Sequence, residues 1–154
     1  MSSISETQSQ AQAVADRQSK SRIPFPMAGE AAYLHFNHKG IAALEVAAAG
    51  ILPDWMDRGF SGFGLIERLT LDGNAAMIRA ILDNGLKRLN EDGKLVPMAE
   101  IDLDEIDWPM GDIARPALEV ICYAYHGESY SEALERMTAS LVDSKSNPEE
   151  VEHA

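Results

Sequence analysis

Asn74-Ala75-Ala76-Met77-Ile78-Arg79-Ala80-Ile81-Leu82-Asp83-Asn84-Gly85-Leu86-Lys87-Arg88-Leu89 is the most strongly patterned stretch of the chain. Met77, Ile78, Ile81, Leu82, Leu86 and Leu89 recur at the spacing that stacks side chains on one face of an α-helix. Asp83, Lys87 and Arg88 fall off that stripe. Asn74 is a capping residue whose side chain can accept an orphan amide of the first turn, and Gly93 supplies a stop. The pattern predicts one amphipathic helix from Asn74 to Gly93. Such a helix is stable only when its stripe is covered, so its neighbours must bring apolar faces of their own.

Those neighbours are legible on both sides. Tyr33-Leu34-His35-Phe36 alternates and is aromatic-rich, which predicts a short strand. Asn37 then caps a second helix, with Ile41, Leu44 and Ala48 at helical spacing and Gly50 as its stop. Ile51 to Gly64 is rich in Gly, Asp and aromatics and is expected to be a loop or a short helix. Beyond Trp108-Pro109, Pro116 suits the first turn of a helix whose stripe is Ala117, Leu118, Ile121, Cys122 and Tyr125, ending at Gly127. Ser129 followed by Glu132 is a capping box, and Leu134, Met137 and Leu141 continue the helix it opens. The fold class predicted is mainly α: about four to five short helices in a compact bundle, a short N-terminal strand or hairpin, and flexible tails.

Of 154 residues, 35 are Leu, Ile, Val or Phe, enough for one modest core but not for two domains. Residues 1–22 hold six Ser and four Gln and are expected to form a flexible polar tail, with at most a transient helix through Gln8 to Arg17. Ile23-Pro24-Phe25-Pro26 enforces an extended entry. The single folded domain is expected over 23–143, with 144–154 a flexible acidic tail. No apolar run is long enough to span a bilayer, and the N-terminus has no apolar core for a signal peptide, so a cytoplasmic location is expected.

Charge is unevenly spread. The chain carries 25 acids against 13 bases, a net −12, and eight of the acids with a single base lie between Glu91 and Asp112. Phosphate-backbone binding needs clustered Lys and Arg, so neither nucleic acid nor an anionic membrane is an expected partner.

A search for chemistry finds little. His35 and His38 are three residues apart, and Cys122 and His126 are four apart; they could share a metal only if the fold brought the pairs together. The simpler reading is exposed imidazoles and a buried thiol that packs as a small hydrophobe. Asp102-Leu103-Asp104-Glu105-Ile106-Asp107 looks like a calcium loop but has Ile106 and Asp107 where an oxygen ligand and a glycine are required. It is expected instead to be a short amphipathic segment with a solvated acidic side. Gly59-Phe60-Ser61-Gly62-Phe63-Gly64 lacks the Lys-Ser/Thr end of a phosphate loop. No catalytic residue, cofactor or metal site is expected, and a single cysteine excludes an intrachain disulfide. Trp55, Phe60 and Phe63 either pack beneath their loop or face a partner, and they are the candidate partner-binding residues.

Tyr33 to Asn37 feeding directly into Gly40-Ile41-Ala42-Ala43-Leu44-Glu45, then Asn74 to Leu86, then Ala117-Leu118-Glu119-Val120-Ile121-Cys122-Tyr123-Ala124-Tyr125-His126-Gly127, has an order that resembles the small tail assembly chaperones of long-tailed bacteriophages and the related gene-transfer-agent proteins. The acidic stretch from Lys94 to Asp112 and the polar N-terminal segment depart from that layout. The resemblance implies a non-enzymatic protein of the host bacterial cytoplasm. It would bind the tape measure protein, keep it soluble and help tail tube protein polymerise around it. A small acidic helical adaptor or regulator of a cellular partner is the alternative that composition and helix pattern leave open.

Overall fold

The computed structural model describes residues 2–52 and 62–145. In chain order it contains α1 (Ser2–Ser21), β1 (Arg22–Pro24), a 3-10 turn (Pro26–Ala28), β2 (Ala32–His35), α2 (His38–Ile51) and α3 (Gly62–Leu71). These are followed by α4 (Ala75–Gly85), β3 (Leu86–Leu89), β4 (Leu95–Pro97), α5 (Met110–His126) and α6 (Tyr130–Lys145). The strands form one antiparallel sheet in the order β1-β2-β3-β4, with Ile23 opposite Leu34, Leu34 opposite Leu86, and Arg88 opposite Val96. The protein is mainly helical, as predicted, but with six helices among the described residues and a fuller sheet than one strand or hairpin.

Helices α2, α3, α4 and α5 enclose the core, and β2 alternates so that Ala32 and Leu34 face inward. Leu34, Leu44, Ile66, Met77, Ile81 and Ile121 are all fully buried there. Each such side chain contributes about 1.5–3 kcal/mol by leaving water. The caps are where local chemistry put them. Gly40 N–H donates to Asn37 Oδ1 at 2.8 Å, and Met77 N–H donates to Asn74 Oδ1 at 3.0 Å.

The long helix predicted from Asn74 to Gly93 is the main correction. It ends at Gly85, and Leu86–Leu89 is a strand. The reason is tertiary. Phe36, at the end of β2, lays its ring against Gly85, where a Cβ would come within 2.2 Å of a ring carbon. The chain then turns out of the helix, and β3 finds hydrogen-bonding partners on both sides, in β2 and β4. The β3–β4 turn is closed by Asn90, whose Oδ1 accepts from the amides of Asp92 (3.0 Å) and Lys94 (2.9 Å), with Gly93 at φ +77°.

Smaller corrections follow the same logic. Gly50 does not stop α2, which continues to Ile51. Pro116 sits inside α5 rather than in its first turn, because the helix already begins at Met110 behind Pro109. The region expected to be a loop or short helix gives way at Gly62 to a full helix, α3, which buries Leu65, Ile66, Leu69 and Thr70. The Thr70 hydroxyl is satisfied by donating to Ile66 O at 2.6 Å. Residues 1–22, expected as a flexible tail, contain α1, whose last turn reaches α6 through Lys20 and Glu132 at 3.3 Å. Of the expected C-terminal tail, 146–154 lie outside the described residues, and α6 runs to Lys145.

Candidate functional site

The last two helices pack differently from the rest. Leu118 and Cys122 of α5 and Tyr130 of α6 form a small second core, with Phe63, Ala133 and Leu134 partly buried against it. The N-terminal end of α6 is firmly held. Its capping box closes in both directions: Glu132 N–H donates to Ser129 Oγ at 3.2 Å, and Ser129 N–H donates to Glu132 Oε1 at 3.0 Å. Glu119 of α5 accepts from both the amide and the hydroxyl of Ser131, and Arg115 lies 3.2 Å from the same carboxylate. The Arg115 guanidinium also covers the Tyr130 ring at 5.2 Å.

The rest of α6 is not held in this way. Met137, Leu141 and Val142 are 55%, 61% and 58% exposed. Beneath Met137, between α3, α5 and α6, lies a groove of about 330 Å³ lined by Phe63, Cys122, Tyr130, Ala133 and Leu134. Phe63 meets His126 edge-on at 5.3 Å and Tyr130 at 6.4 Å, so the wall is aromatic. The mouth is charged: Glu67 and Glu128 line it, and Arg136 donates to Glu128 Oε1 at 2.8 Å.

These surroundings push the groove's acids up. Burial raises the Cys122 thiol to about 11, helped by the negative charges of Glu128, Glu67 and Glu119. Burial and then a hydrogen bond to Glu67 raise the Tyr130 hydroxyl to about 12. The thiol is therefore protonated at neutral pH and packs as a hydrophobe rather than acting as a nucleophile.

No family model, curated protein or solved structure matches this chain. The reading of the groove rests on its own geometry.

Of the three candidate partner-binding residues, Trp55 and Phe60 lie outside the described residues. Phe63 is not a free loop aromatic; it opens α3 and anchors the groove wall, also touching Tyr125 at 5.6 Å. His126 lines the same groove as Cys122, but His35 and His38 do not. His35 Nδ1 is hydrogen-bonded to the Ser21 carbonyl at 2.9 Å, and His126 faces Phe63. Among the described residues no three His, Cys, Asp or Glu side chains are grouped to hold a metal. The segment 102–107 is a turn in which Asp104 N–H donates to Asp102 Oδ1 at 3.0 Å. Its Leu103 and Ile106, with the preceding Ile101, pack on the main core, while Arg79 binds Asp104 at 2.6 Å. No helix among the described residues is long and apolar enough to cross a membrane.

Sequence reasoning missed Glu67, Glu128 and the half-covered state of α6. The usable signal was the spacing of Leu134, Met137 and Leu141, a narrow apolar row on a helix made largely of Ser, Thr, Ala and charged residues.

Proposed function

We propose that this chain is a non-enzymatic tail assembly chaperone. It binds helical segments of a phage tape measure protein in the host cytoplasm, keeps them soluble and so promotes tail tube assembly. The observation that carries the reading is α6, an amphipathic helix clasped at its start and left with Met137, Leu141 and Val142 in solvent beside an aromatic groove. An apolar row next to a groove is what a partner helix needs to lay down its own apolar face. The net charge of −12 supports the same reading, because it keeps a complex that buries apolar segments in solution.

The test is co-expression with a phage tape measure protein, scored as the soluble fraction of that protein. Met137→Ser with Leu141→Ser is the informative variant, since both side chains are exposed and their loss leaves the core intact. Wild type should hold the tape measure protein in the supernatant, and the double variant should let most of it sediment. A tape measure protein equally soluble without this chain ends the proposal.

A further inference from the structure

The groove between α3, α5 and α6 has a chemistry that narrows what can occupy it. Its floor and walls are apolar and aromatic: Phe63, Cys122, Tyr130 and Met137. Its mouth carries two carboxylates, Glu67 and Glu128, against one guanidinium, Arg136, and the imidazole of His126; Arg136 is committed to Glu128 through Nε at 3.2 Å and Nη2 at 2.8 Å. The thiol at the floor is held in its neutral form. Burial is the main reason it stays neutral, and the nearby Glu128, Glu67 and Glu119 carboxylates act in the same direction, with Arg136 opposing them. A second copy of the chain would bring another net −12 to this mouth, and an anionic partner would meet the same repulsion.

We propose that this groove is the docking site for a basic amphipathic helix of a protein partner. The partner's apolar anchors fill the space over Phe63, Tyr130 and Met137, and its flanking Lys or Arg side chains meet Glu67 and Glu128. Apolar contact supplies the affinity, and the carboxylates supply the choice of partner and its orientation. The inference rests on the helical-partner reading above and deepens it by naming the site and the partner's charge.

Two synthetic helical peptides of about 20 residues test it, long enough to lie along the whole of α6. They share one Leu/Ala face; one carries Lys on its flanks and the other Glu. Binding to the full chain is followed by fluorescence anisotropy at about 0.15 M salt, where distant charges are screened. The Lys peptide should bind at least about tenfold more tightly than the Glu peptide. Glu67→Gln with Glu128→Gln should remove most of that difference, whereas Glu91→Gln with Asp92→Asn, on the distant β3–β4 turn, should not. Met137→Ser, which leaves both carboxylates in place, should weaken the Lys peptide and covers the case in which the first pair loosens α6. Equal binding of both peptides, or equal losses from the two acidic pairs, overturns the proposal, as does a dimer that Met137→Ser dissolves. Because the peptides are synthetic, Lys-peptide binding without any effect on tape measure solubility sinks the chaperone reading alone. The reverse result sinks the groove alone.

Discussion

Gly85 and Phe36 show how one absent side chain can decide the path of the chain. A Cβ at Gly85 would lie 2.2, 2.6 and 2.7 Å from three carbons of the Phe36 ring, and that ring is buried in the core with little room to move. Gly85→Ala gains about 0.5–1 kcal/mol of helix propensity but must displace the ring, an overpacking that costs about 1–3 kcal/mol. The net expectation is a loss of stability, read as a lower denaturant midpoint at unchanged slope; a midpoint at or above wild type refutes the close approach. Glu132 offers a pH test. The Ser129 amide first, then Lys20, holds its carboxyl below the usual range. A depressed folded value means that the unfolded chain binds the proton more readily. The contribution is therefore complete above the unfolded value of about 4.3 and is lost as pH falls through the lower folded value. The Ser129 amide resonance should titrate below that usual value, and Glu132→Gln should keep the cap while abolishing the titration. An identical acid response in both proteins would show that Glu132 is not the group involved. Caps of this kind were legible in the sequence, at Asn37, Asn74 and Ser129, because donor and acceptor lie within three residues. The Phe36–Gly85 contact was not, since nothing local announces a ring arriving from 49 positions away.

At the scale of elements, the sequence was read well wherever a helix supplied its own evidence and misread where a neighbour decided. Leu82, Leu86 and Leu89 keep helical spacing, yet Leu86–Leu89 is a strand because β2 and β4 flank it. A short apolar run cannot settle helix against strand by period alone. α3 was missed because its opening, Gly62-Phe63-Gly64, has the composition of a loop, while its buried Leu65, Ile66 and Leu69 earn their place only through packing beneath α5. The groove suffered likewise: Leu134, Met137 and Leu141 were legible as a stripe, but that α5 covers only its first part was not. α5 carries a prediction of its own. Pro116 stands seven residues into the helix counted from Met110, past the first turn, so Asp112 C=O lacks the amide that would normally meet it. Pro116→Ala restores that donor. It should stabilise the protein by about 1 kcal/mol after the greater freedom of the unfolded chain is deducted. Slower amide exchange through the start of α5 would accompany the gain, and a destabilised variant would mean that the proline ring is needed for packing.

The whole molecule is governed by a charge imbalance that its pairwise contacts do not cancel. Arg68–Asp72, Arg79–Asp83 and Arg136–Glu128 are all on or near the surface, and exposed pairs of this kind each contribute about 0–1 kcal/mol. Against them stand 25 acids and 13 bases on a 154-residue chain, and the resulting self-repulsion opposes compaction. Eight of those acids fall between Glu91 and Asp112, where among the described residues Arg79 pairs with Asp104 and Arg88 with Glu100 at 3.0 Å. Salt acts on both kinds of interaction. Between about 0.01 M and about 0.1 M its screening length falls from about 30 Å to about 10 Å. Over that range the repulsion among distant acids is removed, while ion pairs at close contact are weakened much less. The melting temperature should therefore rise by several degrees across this range in sodium chloride, a salt with little effect of its own on apolar burial. Replacing Asp102 and Glu105 by Asn and Gln should reproduce part of that rise at low salt and flatten the dependence. A melting temperature that falls as salt is added would mean that the ion pairs outweigh the repulsion and that the acidic stretch is held by attraction to the body of the protein.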